Sequence, residues 1–469
     1  MPPLTATARS GVTSTSAQAI TSLWLGSLVV QRTEEAAHCD ALLMYGRRLL
    51  YVGLGLSSLL VLRGPAGFSF GDLLIILATG CAVMSQRKPP GQPLPLLWPI
   101  AVLLVAGSTV AASISGNPSE SLTVGARLLY LILVLPWTMM MLLHTRRHTA
   151  RAFAWWVGGA AVCAAGAVAQ LVFGDVIPGT SITSASRFPG FTENVSDLGG
   201  IAAAGAAGAL IAIGRGITRR ARMWSLIALL TCFVGLVLSG SVSGMAAALA
   251  ALVVVLVRRA GRIRRALVVV ALGAATMSWV LDRLAAAGGL TPLERLQQAL
   301  GLRGTAELNT TASRERAADR AWVNIEEHWF TGMGMAPADN VLSAIGNSTV
   351  HNLFLAAWHA GGLLTLIAVV IATANTARAG WRRTPNNPVR EALVAAAVAA
   401  FVFAQTAPSF INRYYWVPMV LLVAVELLTR RDTDSGEKPG VLPQDDLVEI
   451  AGPSRAGPRA QPPDAGRSL

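Results

Sequence analysis

Twelve largely apolar runs, each near the roughly 20-residue length that a spanning helix requires, follow one another along this chain. That repetition restricts the fold more than any motif does. Inside lipid every backbone N–H and C=O must be satisfied within the protein, so such runs fold as α-helices. They lie near 42–62, 68–85, 94–113, 122–143, 152–173, 197–213, 223–239, 242–257, 265–281, 350–376, 390–408 and 414–428. Only 13% of the residues are charged and 53% are hydrophobic, about half the charge of an ordinary soluble domain. The expected fold is all-α: a polytopic integral membrane protein of about 12 transmembrane helices with one long external loop.

The charge pattern orients this stack. The chain carries 38 basic residues and a net charge of +13, and 36 of the 38 are arginine. With the N-terminus inside, 28 of them fall in inward-facing segments, among them Arg146-Arg147, Arg219-Arg220 and Arg258-Arg259. Nine fall outside and Arg127 falls within a run, which is the bias expected when basic loops stay in the cytoplasm. Both termini are therefore expected in the cytoplasm of a multi-pass membrane protein. No soluble domain is left to carry a basic stripe for nucleic acid, so none is expected as a partner.

Three parts lie outside the runs. Residues 1–41 read as a mostly disordered cytoplasmic segment, because the apolar stretch Ile20–Val30 is too short to span. Residues 42–428 form the membrane domain. Residues 429–469, rich in Pro, Gly and both charges, read as a disordered cytoplasmic tail. The long external loop, 282–349, contains Ala318, Ala321, Trp322, Ile325 and Trp329 at helical spacing, so an amphipathic helix is expected near 313–330. Its two tryptophans suit the outer membrane surface. The four cysteines have no CxxC spacing, and no metal site or cofactor is expected. The glycines and alanines of Gly199–Gly208 read as close helix packing.

Chemistry is sought where ionisable groups sit in or beside a span, because each is costly there. On the outer side these are Arg127 in the fourth run, Arg187 in the loop before the sixth, and Arg314, Arg316 and Arg320 on the loop helix. His351 and Asn352 open the tenth run, and Arg413 precedes the twelfth. Guanidinium groups bind phosphate oxygens bidentately, helix N-termini add to the same field, and imidazole is the natural general base near neutral pH. These groups suit an anion site with His351 beside it. Structural roles compete: Arg127 could pair with Glu120 or Asp72, Arg413 could belong to the aromatic belt of Tyr414, Tyr415 and Trp416, and His359 reads as a packed polar group.

Three stretches resemble the O-antigen ligase and O-antigen polymerase superfamily of bacterial envelope enzymes. They are Arg187-Phe-Pro-Gly-Phe-Thr-Glu-Asn before a span, Leu238-Ser-Gly-Ser-Val-Ser-Gly at a helix start, and the block from Arg314 through Gly332-Met-Gly-Met to His351-Asn352-Leu-Phe-Leu and Gly361-Gly362. The chain departs from the family's frequent Asn-Pro-Asn at Glu193-Asn194-Val195-Ser196. The resemblance implies a metal-independent membrane glycosyltransferase without a cofactor. Its donor would be a glycan on undecaprenyl or another polyprenyl diphosphate. Its acceptor would be a glycan or glycolipid at the outer face of the membrane, in cell-envelope or exopolysaccharide synthesis. By the same resemblance Arg187 and Arg314 would hold the diphosphate, assisted by Arg127 or Arg320, with Arg316, Arg413 and Asn352 in support. His351 would take the acceptor proton or bind the diphosphate beside them. The alternative is a transporter that flips lipid-linked oligosaccharide. Such transporters favour mid-membrane charge and internal repeats, and neither is evident here.

Overall fold

Polar caps decide where the apolar runs begin to coil. The computed structural model describes residues 39–62, 68–85, 95, 97–115, 117–183, 186–213, 219–258, 309–335, 350–382, 387–407 and 410–434. Among them there is no strand. The helices are α1 (39–56), α2 (Phe70–Met84), α3 (Leu97–Ser115), α4 (Pro118–Leu129), α5 (Leu135–Leu142), α6 (Arg146–Phe173) and α7 (Val195–Ala212). They continue with α8 (Arg219–Ser239), α9 (Val242–Arg258), α10 (Asn309–Glu327), α11 (Leu353–Trp381), α12 (Pro388–Ala404) and α13 (Arg413–Asp434). A π-helical turn, Tyr130–Val134, joins α4 to α5 without a break.

Eleven of the twelve expected runs coincide with helices. The ninth, 265–281, lies outside the described residues, as do 1–38, 435–469, and 282–308 and 336–349 of the expected loop. Six segments are long and apolar enough to cross a membrane: Leu97–Ser115, Pro118–Leu142, Arg146–Phe173, Val195–Ala212, Arg219–Ser239 and Leu353–Trp381. The protein is thus an all-helical, multi-pass membrane protein. Several helices start earlier than the hydropathy runs, and in α4 and α6 a polar cap marks the start. The Asn117 side chain accepts from the Ser119 N–H ahead of Pro118, and Thr145 Oγ1 accepts from the His148 N–H. Such capped first turns are polar, so an apolar window misses them.

α7 sits at the centre, with 78% of its apolar window buried against α6, α8, α9 and α12. Its glycines allow the approach. A Cβ at Gly200 would meet the Phe403 ring, at Gly205 the Ala160 Cβ and Cys232 Sγ, and at Gly208 the Phe153 ring. Without a hydrophobic drive between helices in lipid, close packing of small residues holds the bundle.

Candidate functional site

The link between α6 and α7 turns at four positions of positive φ, Gly174 at 81°, Gly179 at 78°, Ser186 at 50° and Gly190 at 60°. A Cβ at Gly190 would lie 2.4 Å from the Cys163 carbonyl oxygen, so only glycine fits this approach to α6. The buried Gln170, near the end of α6, clamps the loop: its Oε1 accepts from the Gly190 N–H at 2.8 Å and its Nε2 donates to Thr180 Oγ1 at 2.9 Å. Arg187 then reaches the end of α8. Its Nε donates to the Ser239 carbonyl at 2.8 Å, and the Phe188 N–H donates to the Leu238 carbonyl at 3.2 Å. Two of the three resembling stretches, whose contacting residues Arg187 and Ser239 are 52 positions apart, therefore share one edge of the bundle.

Next to this edge, Ser241 Oγ accepts from the Gly244 N–H at the start of α9, and Asn194 Oδ1 accepts from the Ser196 N–H at the start of α7. In the first turn of α7, Asp197 Oδ1 accepts from the Tyr414 hydroxyl at 3.0 Å. Arg413 forms a two-pronged ion pair with Asp72, its Nε donating to Oδ1 at 2.5 Å and its second nitrogen to Oδ2. Both side chains are buried, Asp72 at 0% exposure. Asp72 also closes a capping box with Ser69 at the start of α2. Arg413 is therefore a cross-link between α2 and α13, and Asp72 is occupied by it rather than by Arg127. Asp72→Asn would leave a buried guanidinium without its carboxylate. The expected cost is about 3 kcal/mol, read as a lower melting temperature of the detergent-solubilised protein. The double change Asp72→Leu with Arg413→Met should recover most of it. Unaltered melting of Asp72→Asn would contradict the assignment.

The third stretch is assembled across a broken helix. α11 loses helical geometry at Gly361 and Gly362, where φ is −122° and +67°. The chain that follows α10 fills the gap. The Leu363 N–H donates to the Trp329 carbonyl at 3.0 Å, and the Met333 N–H donates to the His359 carbonyl at 2.9 Å. Trp358 Nε1 also donates to the Trp329 carbonyl, and Asn324 Nδ2 lies 3.0 Å from His359 Nε2. Gly332 and Met335 extend the seam to α3 and α4, with Ser115 Oγ donating to the Gly332 carbonyl and the Met335 N–H donating to Ser121 Oγ.

His351 is not in the first turn of this helix. Asn352 has extended backbone angles and is the N-cap: its Oδ1 accepts from the N–H groups of Phe354 and Leu355, both at 3.0 Å. His351 stands half-buried, one residue outside. Asn352 Nδ2 reaches Gln405 Oε1 at the end of α12. On α10 the buried stripe is Ala317, Ala321 and Ile325, whereas Trp322 and Trp329 are half exposed. Of the expected apolar set, Ala321 and Ile325 turn inward, while the exposed tryptophans are compatible with the outer membrane surface their spacing suggests. Arg314, Arg316 and Arg320 are all exposed on α10. Partial desolvation lowers the Arg314 pKa from its usual value, and the group stays cationic. Arg127 is half-buried in the third turn of α4, deeper than one turn because the helix begins at Pro118. Gln170, Asn324 and Asp72 were not among the expected site residues. Gln170 and Asp72 are polar side chains within apolar runs and Asn324 is one on the loop helix, which is the one local signal they offer.

The class that the fold defines is an all-helical, multi-pass membrane protein. Residues 227–370 match the protein-family model described as O-antigen ligase, which supports the superfamily assignment. The matched stretch includes Ser239, Arg314, Arg316, Arg320, His351, Asn352, Gly361 and Gly362, while Arg127, Arg187 and Arg413 lie outside it. No curated protein matches the chain.

Proposed function

We propose that the protein is a metal-independent glycosyltransferase of the O-antigen ligase or polymerase type. It crosses the bacterial cytoplasmic membrane about twelve times, with both termini inside. It transfers a glycan from a polyprenyl diphosphate to a hydroxyl of a sugar or lipid acceptor at the outer face. The observation that carries this reading is the meeting of the Arg187 loop with the Ser239–Ser241 turn. The first turns of α2 and α7, which contact α13, surround the same end of the bundle.

In this reaction the acceptor oxygen attacks the anomeric carbon and the bond from that carbon to the diphosphate oxygen breaks. Charge grows on the leaving diphosphate, so fixed cations aimed at it lower the barrier. Arg187 and Arg314 take that role, with Arg127 or Arg320 assisting. His351 accepts the hydroxyl proton. Asn352 holds the helix start beside His351, and Arg413 acts through Asp72 by fixing α2 against α13. Arg316 lies on the same exposed helix. From α10 into the segment after it, the pairs with α11 first advance together, Trp322 with Trp358, Asn324 with His359 and Trp329 with Leu363, before the chain turns back at Met333. That sense brings the arginine-bearing start of α10 toward the His351 end of α11.

The test is transfer in proteoliposomes containing a polyprenyl-diphosphate glycan. Arg187→Ala and Arg314→Ala should each lower the rate by about 10²–10³-fold, the usual loss of one transition-state donor. A chelator should leave the wild type active. Either variant within threefold of wild type would remove that arginine from the site, and rescue of chelated enzyme by a divalent cation would overturn the metal-independent reading.

A further inference from the structure

The opposite end of the bundle holds a second gathering of cations. α1 and α6 both begin there, since α6 carries Gln170 at its other end against the Arg187 loop. Arg47 of α1 donates through Nε to the carbonyl of Leu142, the last residue of α5, at 2.9 Å. A Cβ at Gly46 would touch Cys81 of α2 and Leu142, so this part of α1 is wedged into the junction. Arg147, His148 and Arg151 come from the first two turns of α6, and His144 from the link before it. Arg47, His144, Arg147 and Arg151 all act electrostatically on His148, and the three arginines act on Tyr51 as well. Of these residues only Arg151 is exposed.

Orientation in the membrane does not require this arrangement. Arg219, Arg220 and Arg222 at the start of α8 are exposed and serve that purpose in water. Half-buried like charges repel, and removing them from water adds to the cost. The Tyr51 hydroxyl and His148 Nδ1 are also buried, and neither hydrogen-bonds to the described residues. We propose that the junction of α1, α5 and α6 is a phosphate-binding site, distinct from the glycan site and on the other membrane face. Guanidinium forks bind phosphate oxygens bidentately, and a phenol and an imidazole supply further donors. Basic pockets between spanning helices on the inner side suit phosphate-bearing headgroups. A free phosphate ester offers the same chemistry.

Full-length protein in nanodiscs separates the two sources. One arm compares phosphatidylcholine discs with discs containing phosphatidylglycerol. The other titrates pyrophosphate into phosphatidylcholine discs. Thermal stabilisation is read in both. Saturation in the first arm identifies a headgroup, and in the second a free ester. The double variant Arg47→Gln with Arg147→Gln should weaken the responding arm about tenfold or more. Tyr51→Phe, which removes one hydroxyl and keeps the packing, should weaken it about threefold. Arg219→Gln with Arg220→Gln is the control and should change it less than twofold. No stabilisation in either arm would overturn the proposal. So would an equal loss in the control, which would reduce the effect to surface charge. If the double variant does not fold, a wild-type response from Tyr51→Phe also overturns it.

Discussion

Replacing His351 by alanine is expected to lower glycan transfer by about 10³-fold while the protein still inserts and still binds the lipid-linked donor. General-base catalysis contributes about 10²–10⁴-fold, and 10³-fold corresponds to about 4 kcal/mol of barrier. The position favours the role. His351 lies just outside the cap of α11, where Asn352 satisfies the first N–H groups of the helix. The alternative role, holding the diphosphate, makes a different forecast. His351→Arg keeps a cation and cannot accept a proton, so it should be as inactive as His351→Ala if the residue is the base. Substantial activity in His351→Arg would transfer the histidine to the leaving group. Added imidazole should restore part of the alanine variant's rate. Full activity in His351→Ala would remove the residue from the reaction.

Much of the fold is legible in the sequence because apolar runs are local and membrane helices satisfy their own backbones. The helix starts are less so, since Pro118-Ser-Glu-Ser and Arg146-Arg-His-Thr are polar turns that hydropathy discards. Their Asn-Pro and Thr caps are the local signal that marks them. The site divides in the same way. The arginines and His351 stand out as costly charges, and the three resembling stretches contain most of them. Which charges pair does not stand out. Asp72 and Arg413 are 341 residues apart, and nothing near either names the other. The helix α10 is legible from its spacing, but which of its apolar residues touch the bundle is not. Ala317, Ala321 and Ile325 pack inward with little apolar area, while the larger tryptophans stay at the surface. Exposed tryptophans are compatible with a helix at the outer membrane surface, where an aromatic ring need not turn into the protein.

The break in α11 offers the other large effect, because backbone and side-chain bonds there couple the loop helix to the membrane domain. Gly362 has φ of +67° and ψ of −165°, a region that essentially only glycine occupies. A Cβ there would stand 1.9 Å from the Phe330 carbonyl oxygen, and backbone on both sides leaves nothing soft to yield. Gly362→Val should therefore cost about 5 kcal/mol or more, in the range reserved for severe core and backbone disruption. It should also release the Trp329–Met335 segment. Trp358 and Leu363 would lose the Trp329 carbonyl, Met333 would lose the His359 carbonyl, and Asn324 would lose His359. Since α10 carries Arg314, transfer should fall with stability, and hydrogen exchange over 309–335 should rise. Gly361→Ala separates strain from crowding. Its φ of −122° suits any residue, and its Cβ would meet the side-chain atoms Thr365 Oγ1 and Met335 Cε, which can shift. That variant should lose less than half as much. Gly80→Ala, on an open face of α2 with nothing within 4 Å, should be neutral or stabilising by about 0.5–1 kcal/mol. If Gly362→Val melts with the wild type and exchanges no faster over 309–335, the segment does not hold α10, and the coupling between loop helix and broken span is wrong.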